Sequence, residues 1–179
     1  MPKQSIKKES KGFTMVEMMV AIFVLLVGIT GGVAAIVKVI TLTSVASSKL
    51  TAVYLVQEGL ELVRNIRDTN WLEARTAAND WDEGINPLDP SNCDTGCIVD
   101  YLNTQSLHPN LNPYTGQFLK IDNTFGYYSY SAPNQTKFQR KITIGKPSND
   151  ILDVTLEVMW MDRGASYTVT AREQLYNWR

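Results

Sequence analysis

From Met18 to Val37 the chain runs through twenty residues, MMVAIFVLLVGITGGVAAIV, without a charge, and Lys38 ends the run. An apolar stretch of that length makes a helix of roughly 30 Å, the thickness of a bilayer core. Beyond Lys38 the pattern changes but does not break. No proline occurs between residues 39 and 67, and Val45, Ala52, Val56, Leu60, Val63 and Ile66 recur mostly at threes and fours. Ser47, Ser48, Lys49, Gln57, Glu61 and Arg64 fill much of the remainder, as an amphipathic helix with one apolar stripe requires. The spacing therefore predicts one helix from about Phe13 to Arg67, on the order of 80 Å long. Its first half is apolar on every side and needs lipid or other helices; its second half needs a domain to lie against.

From Asp68 to Pro113 the periodicity fades, and Asn79, Asp80, Asp82, Gly84, Asn86, Pro87, Asp89 and Pro90 mark a loop-rich surface. A short helix is expected near Trp71 to Ala78. The remainder reads as strands: Phe118 to Ser131, Lys137 to Ile144, and Leu152 to Met161. Leu152, Val154, Leu156, Val158 and Trp160 share one face of the third run. Tyr167, Val169 and Ala171 share a face of the last run, with Leu175 further along. Asp162-Arg163-Gly164 is a short turn between the last two strands, so an antiparallel hairpin is predicted. The predicted class is α+β: a long N-terminal helix whose C-terminal half packs on an antiparallel sheet.

Charge adds direction to this picture. The 179 residues carry a formal net charge of -1, which is not the balance of a polycation, yet Lys3, Lys7, Lys8 and Lys11 against Glu9 give the first twelve residues a net +3. A basic polar start before an apolar run is the pattern of an export or membrane-orientation signal. Ser44-Val45-Ala46 loosely resembles a small-residue cleavage site, but the helical stripe continues through it. The two cysteines, Cys93 and Cys97, close a very short C-D-T-G-C loop, and a disulfide there suits a domain outside the cytoplasm.

Chemistry for catalysis is sparse. The single histidine, His108, lies in a Pro/Asn-rich loop, so neither a Ser-His-Asp constellation nor a four-ligand zinc site can be assembled on it. Asp80, Asp82 and Glu83 form an acidic loop expected to be solvated, and no metal site or cofactor is assigned. The four tryptophans, Trp71, Trp81, Trp160 and Trp178, are read as packing residues rather than a binding cage. Lys137, Arg140, Lys141 and Lys146 lie close together with Phe138 among them and Tyr127, Tyr128 and Tyr130 just before. Basic groups interleaved with aromatics are the chemistry of a nucleic-acid contact; the competing reading is a solvated strand face with core aromatics.

Immediately before the apolar run stands K-G-F-T-M-V-E, Lys11 to Glu17. With this motif the chain resembles the type IV pilins and pseudopilins; the order of its elements looks most like minor pilins of the pilus-modification or pseudopilin kind. The resemblance implies a leader peptide, Met1 to Gly12, removed by a prepilin peptidase that cuts between Gly12 and Phe13 and methylates the new Phe13 amine. It implies a filament-core or transmembrane helix over 13–38, its amphipathic half over 39–67, and an extracytoplasmic domain over 68–179. Glu17 takes the assembly role, pairing with the Phe13 amine in its own or a neighbouring subunit. A carboxylate deep in a bilayer costs on the order of 3 kcal/mol, so such a residue calls for a partner; the competing reading leaves Glu17 at the bilayer surface, favoured by the helix N-terminus. The implied protein is a structural subunit and not an enzyme. Its partners are the peptidase, an assembly platform in the membrane, other pilin subunits and, before assembly, the lipid bilayer; its location is the inner or cytoplasmic membrane, then a filament at the cell surface. The alternatives are a DNA-binding minor pilin of a DNA-uptake pilus and an ordinary single-pass membrane-anchored domain. The family's proline about twenty residues into the mature helix is missing here; Gly28, Gly31 and Gly32 occupy that neighbourhood.

Overall fold

A computed structural model describes residues 12–73, 81–87, 93–101 and 111–178. The apolar run and the amphipathic stretch form one element, α1, over Met15–Glu73. It therefore passes the expected end at Arg67, and Trp71 belongs to its last turn rather than to a separate helix; residues 74–78 of that expected helix lie outside the described residues. Thr30, Thr41, Thr43 and Thr51 donate their hydroxyls to carbonyls of the preceding turn, among them those of Leu26, Val37, Val39 and Ser47, at 2.8–3.2 Å. In this way the polar atoms of an exposed helix stay satisfied without water.

The chain divides into two units, residues 1–45 and 46–179. In the second, the buried face of α1 is Ser48, Ala52, Leu55, Val56, Gly59, Val63, Ile66 and Asn70. The predicted stripe is recognisable in it, with Leu60 only half buried and with Leu55 and Gly59 added. This face packs on an antiparallel sheet of seven strands: β1 Cys97–Ile98, β2 Asn112–Pro113, β3 Phe118–Ile121, β4 Tyr128–Ser129, β5 Asn134–Ser148, β6 Ile151–Asp162 and β7 Ala165–Tyr176. Along one side of β5 runs β6, with β7 beyond it; along its other side β3 and β1 lie end to end, with β4 and β2 outside them. Two short strands, β1 and β2, sit in the stretch expected to be loop-rich surface.

Alternation sets which side chains enter the core. Phe138, Ile142 and Ile144 of β5 and Leu152, Val154, Leu156, Val158 and Trp160 of β6 point toward the helix and are buried. Each such side chain removed from water stabilises the fold by about 1.5–3 kcal/mol. At Gly59 the helix comes so close to the sheet that an added Cβ would lie 2.3 Å from Leu156 Cδ1 and 3.2 Å from Arg140 Cδ. The β6–β7 hairpin turns on Arg163 and Gly164, with φ of 51° and 80°. Two positive values make the tight hairpin turn whose twist matches the strands.

Candidate functional site

The helix begins at a defined cap. Thr14 has left the extended chain but is not yet helical, and its Oγ1 accepts the Glu17 N–H at 3.2 Å while its carbonyl accepts the Met18 N–H, also at 3.2 Å. These bonds satisfy two of the donors that a helix N-terminus leaves open. Thr14 and Glu17 stand at the spacing of a capping box, with Phe13 and Met18 at the positions of a hydrophobic staple. The cap was thus legible in the sequence, although a reading of the apolar pattern alone passes over it. Glu17 lies in the first turn, where the helix dipole favours a carboxylate.

Gly12 and Phe13 precede the cap in non-helical backbone. An added Cβ at Gly12 would meet nothing within 4 Å, and Phe13 is 76% exposed. The peptide bond between them is therefore accessible to another protein, and helix hydrogen bonds do not tie it down. From Met15 through Leu42 the large apolar side chains of α1 are exposed. This segment is long and apolar enough to cross a membrane, with a mean hydropathy of 2.7 over its most apolar window and none of that window buried.

The basic residues of β5 do not make one open face. Strand alternation sends Arg140 into the core, where it is 0% exposed. Its guanidinium donates to the Leu55 carbonyl at 3.2 Å and the Val99 carbonyl at 2.7 Å, and Glu58 Oε1 stands 3.4 Å away. A charge this deep is tolerated because it is paired and hydrogen-bonded. Lys137 binds Asp162 at 2.9 Å and Ser48 at 2.7 Å; Lys146 binds Asp82 at 2.6 Å. Lys141 lies across Gly96, in register opposite Glu157. Arg140 thus joins helix to sheet, and its place in an apolar-face slot of K-F-Q-R-K-I is what sequence proximity hid. The acidic loop also differs from expectation. Asp82 is buried against Lys146 rather than solvated, the Glu83 carbonyl accepts from Asn70 at 2.8 Å, and Asp80 lies outside the described residues, as does His108. No group of three metal-ligating side chains occurs among the described residues.

Cys93 and Cys97 are joined by a disulfide, with Cα atoms 4.9 Å apart and both side chains fully buried. The loop is stitched to the sheet at both ends: the Cys93 carbonyl accepts the Ile144 N–H at 2.9 Å, and Cys97 pairs with Ile142. Only Asp94 and Thr95 at its tip are exposed. The tryptophans serve packing: Trp160 is in the core, Trp81 Nε1 donates to the Asn149 carbonyl at 3.3 Å, and the Trp71 and Trp178 rings lie 3.9 Å apart.

Residues 7–33 match the family model described as the prokaryotic N-terminal methylation motif. The chain carries that motif. The match spans the basic approach, the Gly12–Phe13 junction, the Thr14 cap, Glu17 and the apolar run, so the methylation motif and the capped, exposed helix start are one feature. Such a motif at the head of an apolar helix fits a type IV pilin or pseudopilin, made as a prepilin and anchored in a membrane. It points to a structural subunit, and it supports processing by a prepilin peptidase and assembly with other pilin subunits. Neither the curated proteins nor the solved structures gave a match to this chain.

Proposed function

We propose that this protein is a minor structural subunit of a type IV pilus or pseudopilus. A prepilin peptidase cuts after Gly12 and methylates Phe13, removing residues 1–12 as a leader. The subunit then waits in the cytoplasmic membrane with residues 13–38 spanning it and its C-terminal domain outside, and an assembly platform moves it into a filament at the cell surface. There Phe13 to Val37 line the core, and Glu17 meets the methylated Phe13 amine of its own or a neighbouring chain. Burying the carboxylate and the ammonium together replaces two separate desolvation costs by one pair, and it sets the axial position of each incoming subunit. The observation that carries this reading is the methylation motif over residues 7–33, seated on a helix start where Thr14 leaves Gly12 and Phe13 outside the helix. The test is mass spectrometry of the mature N-terminus in cells with and without the peptidase. A peptide beginning at N-methylated Phe13, lost without the peptidase, is expected. An intact Met1 start in both strains would reduce the protein to an ordinary single-pass membrane anchor.

A further inference from the structure

The two edges of the sheet are treated differently. On one side the outermost strands, β2 and β4, are two residues each, and β2 contains Pro113. Short strands and proline are the usual means of blunting an edge against another chain. On the other side β7 is twelve residues long and, among the described residues, pairs with β6 alone. Its twelve pairs with β6 run from Asp162↔Ala165 to Ile151↔Tyr176 without a bulge. From Ala165 to Ala171 it reads A-S-Y-T-V-T-A, with no charge, proline or glycine. Over Ala165 to Ala171 none of the natural protections occurs among the described residues; the charges of β7 begin at Arg172 and Glu173, and Glu173 is held by Arg64 of α1.

The tight turn fixes which backbone groups face outward. Asp162 and Ala165 flank a two-residue turn and exchange hydrogen bonds, so the odd-numbered residues of β7 bond to β6. The Asn177 N–H to the Asp150 carbonyl, at 2.9 Å, continues the same parity at the far end. The N–H and C=O groups of Ser166, Thr168, Thr170 and Arg172 therefore point away from the sheet. On the helix side of the strand Tyr167, Val169 and Ala171 are only half buried, with Tyr167 stacked on Trp160 at 5.4 Å. One more strand would complete their cover. On the opposite side Ser166, Thr168, Thr170 and Arg172 are exposed.

We propose that the free edge of β7 receives a β-strand from a neighbouring, different subunit of the filament; the proposal rests on the filament reading above. The incoming strand is uncharged and alternates apolar with hydroxyl or amide side chains opposite residues 165–171, and it carries Asp or Glu against Arg172. A second copy of this chain does not suit the edge: the outer strands of its other edge, β2 and β4, are two residues each. Pairing β7 antiparallel with itself needs a two-fold axis normal to the sheet, which would point the two packed helices in opposite directions, whereas subunits of one filament run the same way. Backbone bonds would supply affinity, and the half-buried row would supply specificity.

The test is amide hydrogen exchange on the full chain, processed and held in detergent micelles, compared with the same chain in purified filaments. The amides of Ser166, Thr168, Thr170 and Arg172 are expected to slow by about ten-fold or more in filaments, while those of Tyr167, Val169 and Ala171 are protected in both states. Thr168→Pro removes one outward N–H and no β6 bond, so it should cut incorporation about ten-fold with N-terminal processing intact, whereas Thr168→Val should incorporate normally. Unchanged exchange at the even-numbered amides in filaments of processed chain would overturn the proposal, as would wild-type incorporation of Thr168→Pro. An uncleaved N-terminus would instead overturn the filament reading and take the strand proposal with it.

Discussion

At Gly59 the helix lies tight against Leu156 and Arg140 of the sheet, and Gly59→Ala measures what that approach is worth. On an exposed helix the change is favourable by about 1 kcal/mol, since glycine is the poorer helix former. Here the new methyl would lie 2.3 Å from Leu156 Cδ1 and 3.2 Å from Arg140 Cδ. Leu156 is fully buried and Arg140 is pinned by the Leu55 and Val99 carbonyls, so neither yields freely. Overpacking of this kind costs up to about 3 kcal/mol. The net is a loss of about 2 kcal/mol, or roughly 4–8 °C in Tm for a domain of this size. Urea unfolding followed by tryptophan fluorescence should show a lower midpoint at an unchanged slope. A double-mutant cycle isolates the contact. Leu156→Ala alone should cost about 2–5 kcal/mol, and in its background Gly59→Ala should be neutral or favourable because the clashing carbon is gone. At Gly31, where an added Cβ meets nothing within 4 Å, alanine carries no such penalty. A Gly59→Ala protein as stable as the parent would show that the helix is free to shift on the sheet, and the packing argument would fail.

Replacing Cys93 and Cys97 together by serine should lower stability by about 2 kcal/mol, the entropy of a closed loop of roughly five residues, read from the urea midpoint with and without reductant. The bond from Lys137 holds the Asp162 carboxyl below its ordinary range, so the stability it contributes is present above pH about 4 and is lost as pH falls through the lowered value; Asp162→Asn should flatten that acid limb. Burial pushes the Tyr130 phenol up to about 12, so its contribution is full below pH about 10 and is lost as pH rises through 12; Tyr130→Phe should remove that step from an alkaline titration of tyrosinate absorbance, together with the bond to the Arg140 carbonyl. Glu17→Ala should be cut and methylated normally yet enter filaments poorly; normal incorporation would remove the pairing role.

The class of fold was legible because two periods are written plainly in the chain. A charge-free run followed by threes and fours gave the helix, and strict alternation from Leu152 to Trp160 gave β6 with its buried face correct. The reading failed where polar or small residues hold core positions. The stripe of α1 is closed by Ser48 and Asn70 and centred on Gly59, none of which scores as apolar. Ser48 is admitted because it binds Lys137, and Asn70 because its amide donates to the Trp81 and Glu83 carbonyls. Arg140 looked like surface chemistry for the same reason: a guanidinium in an apolar slot makes sense only when the carbonyls of Leu55 and Val99, far away in sequence, are seen to meet it. The strands β1 and β2 are two residues each, too short to show any period.

The candidate site was more legible than the domain because its logic is local. Thr14, Glu17 and the junction before them lie within six residues, and each acts on the backbone beside it. What the helix then requires is set by magnitude. Between Met15 and Leu42 more than a dozen large apolar side chains stand exposed. At about 1.5–3 kcal/mol each, leaving them in water would cost tens of kcal/mol, more than the 5–15 kcal/mol by which a folded domain is usually stable. Lipid and a bundle of like helices both remove that cost, so the apolar run alone does not choose between them. In the function proposed above, Glu17 makes that choice. At a bilayer surface its carboxylate remains hydrated beside the helix N-terminus, and it gains nothing from entering a protein core unless a cation is there to meet it. In the function proposed above, a cut after Gly12 supplies that cation at Phe13, four residues away on the same helix start, and so joins the residue that resists burial to the processing step that makes its burial tolerable.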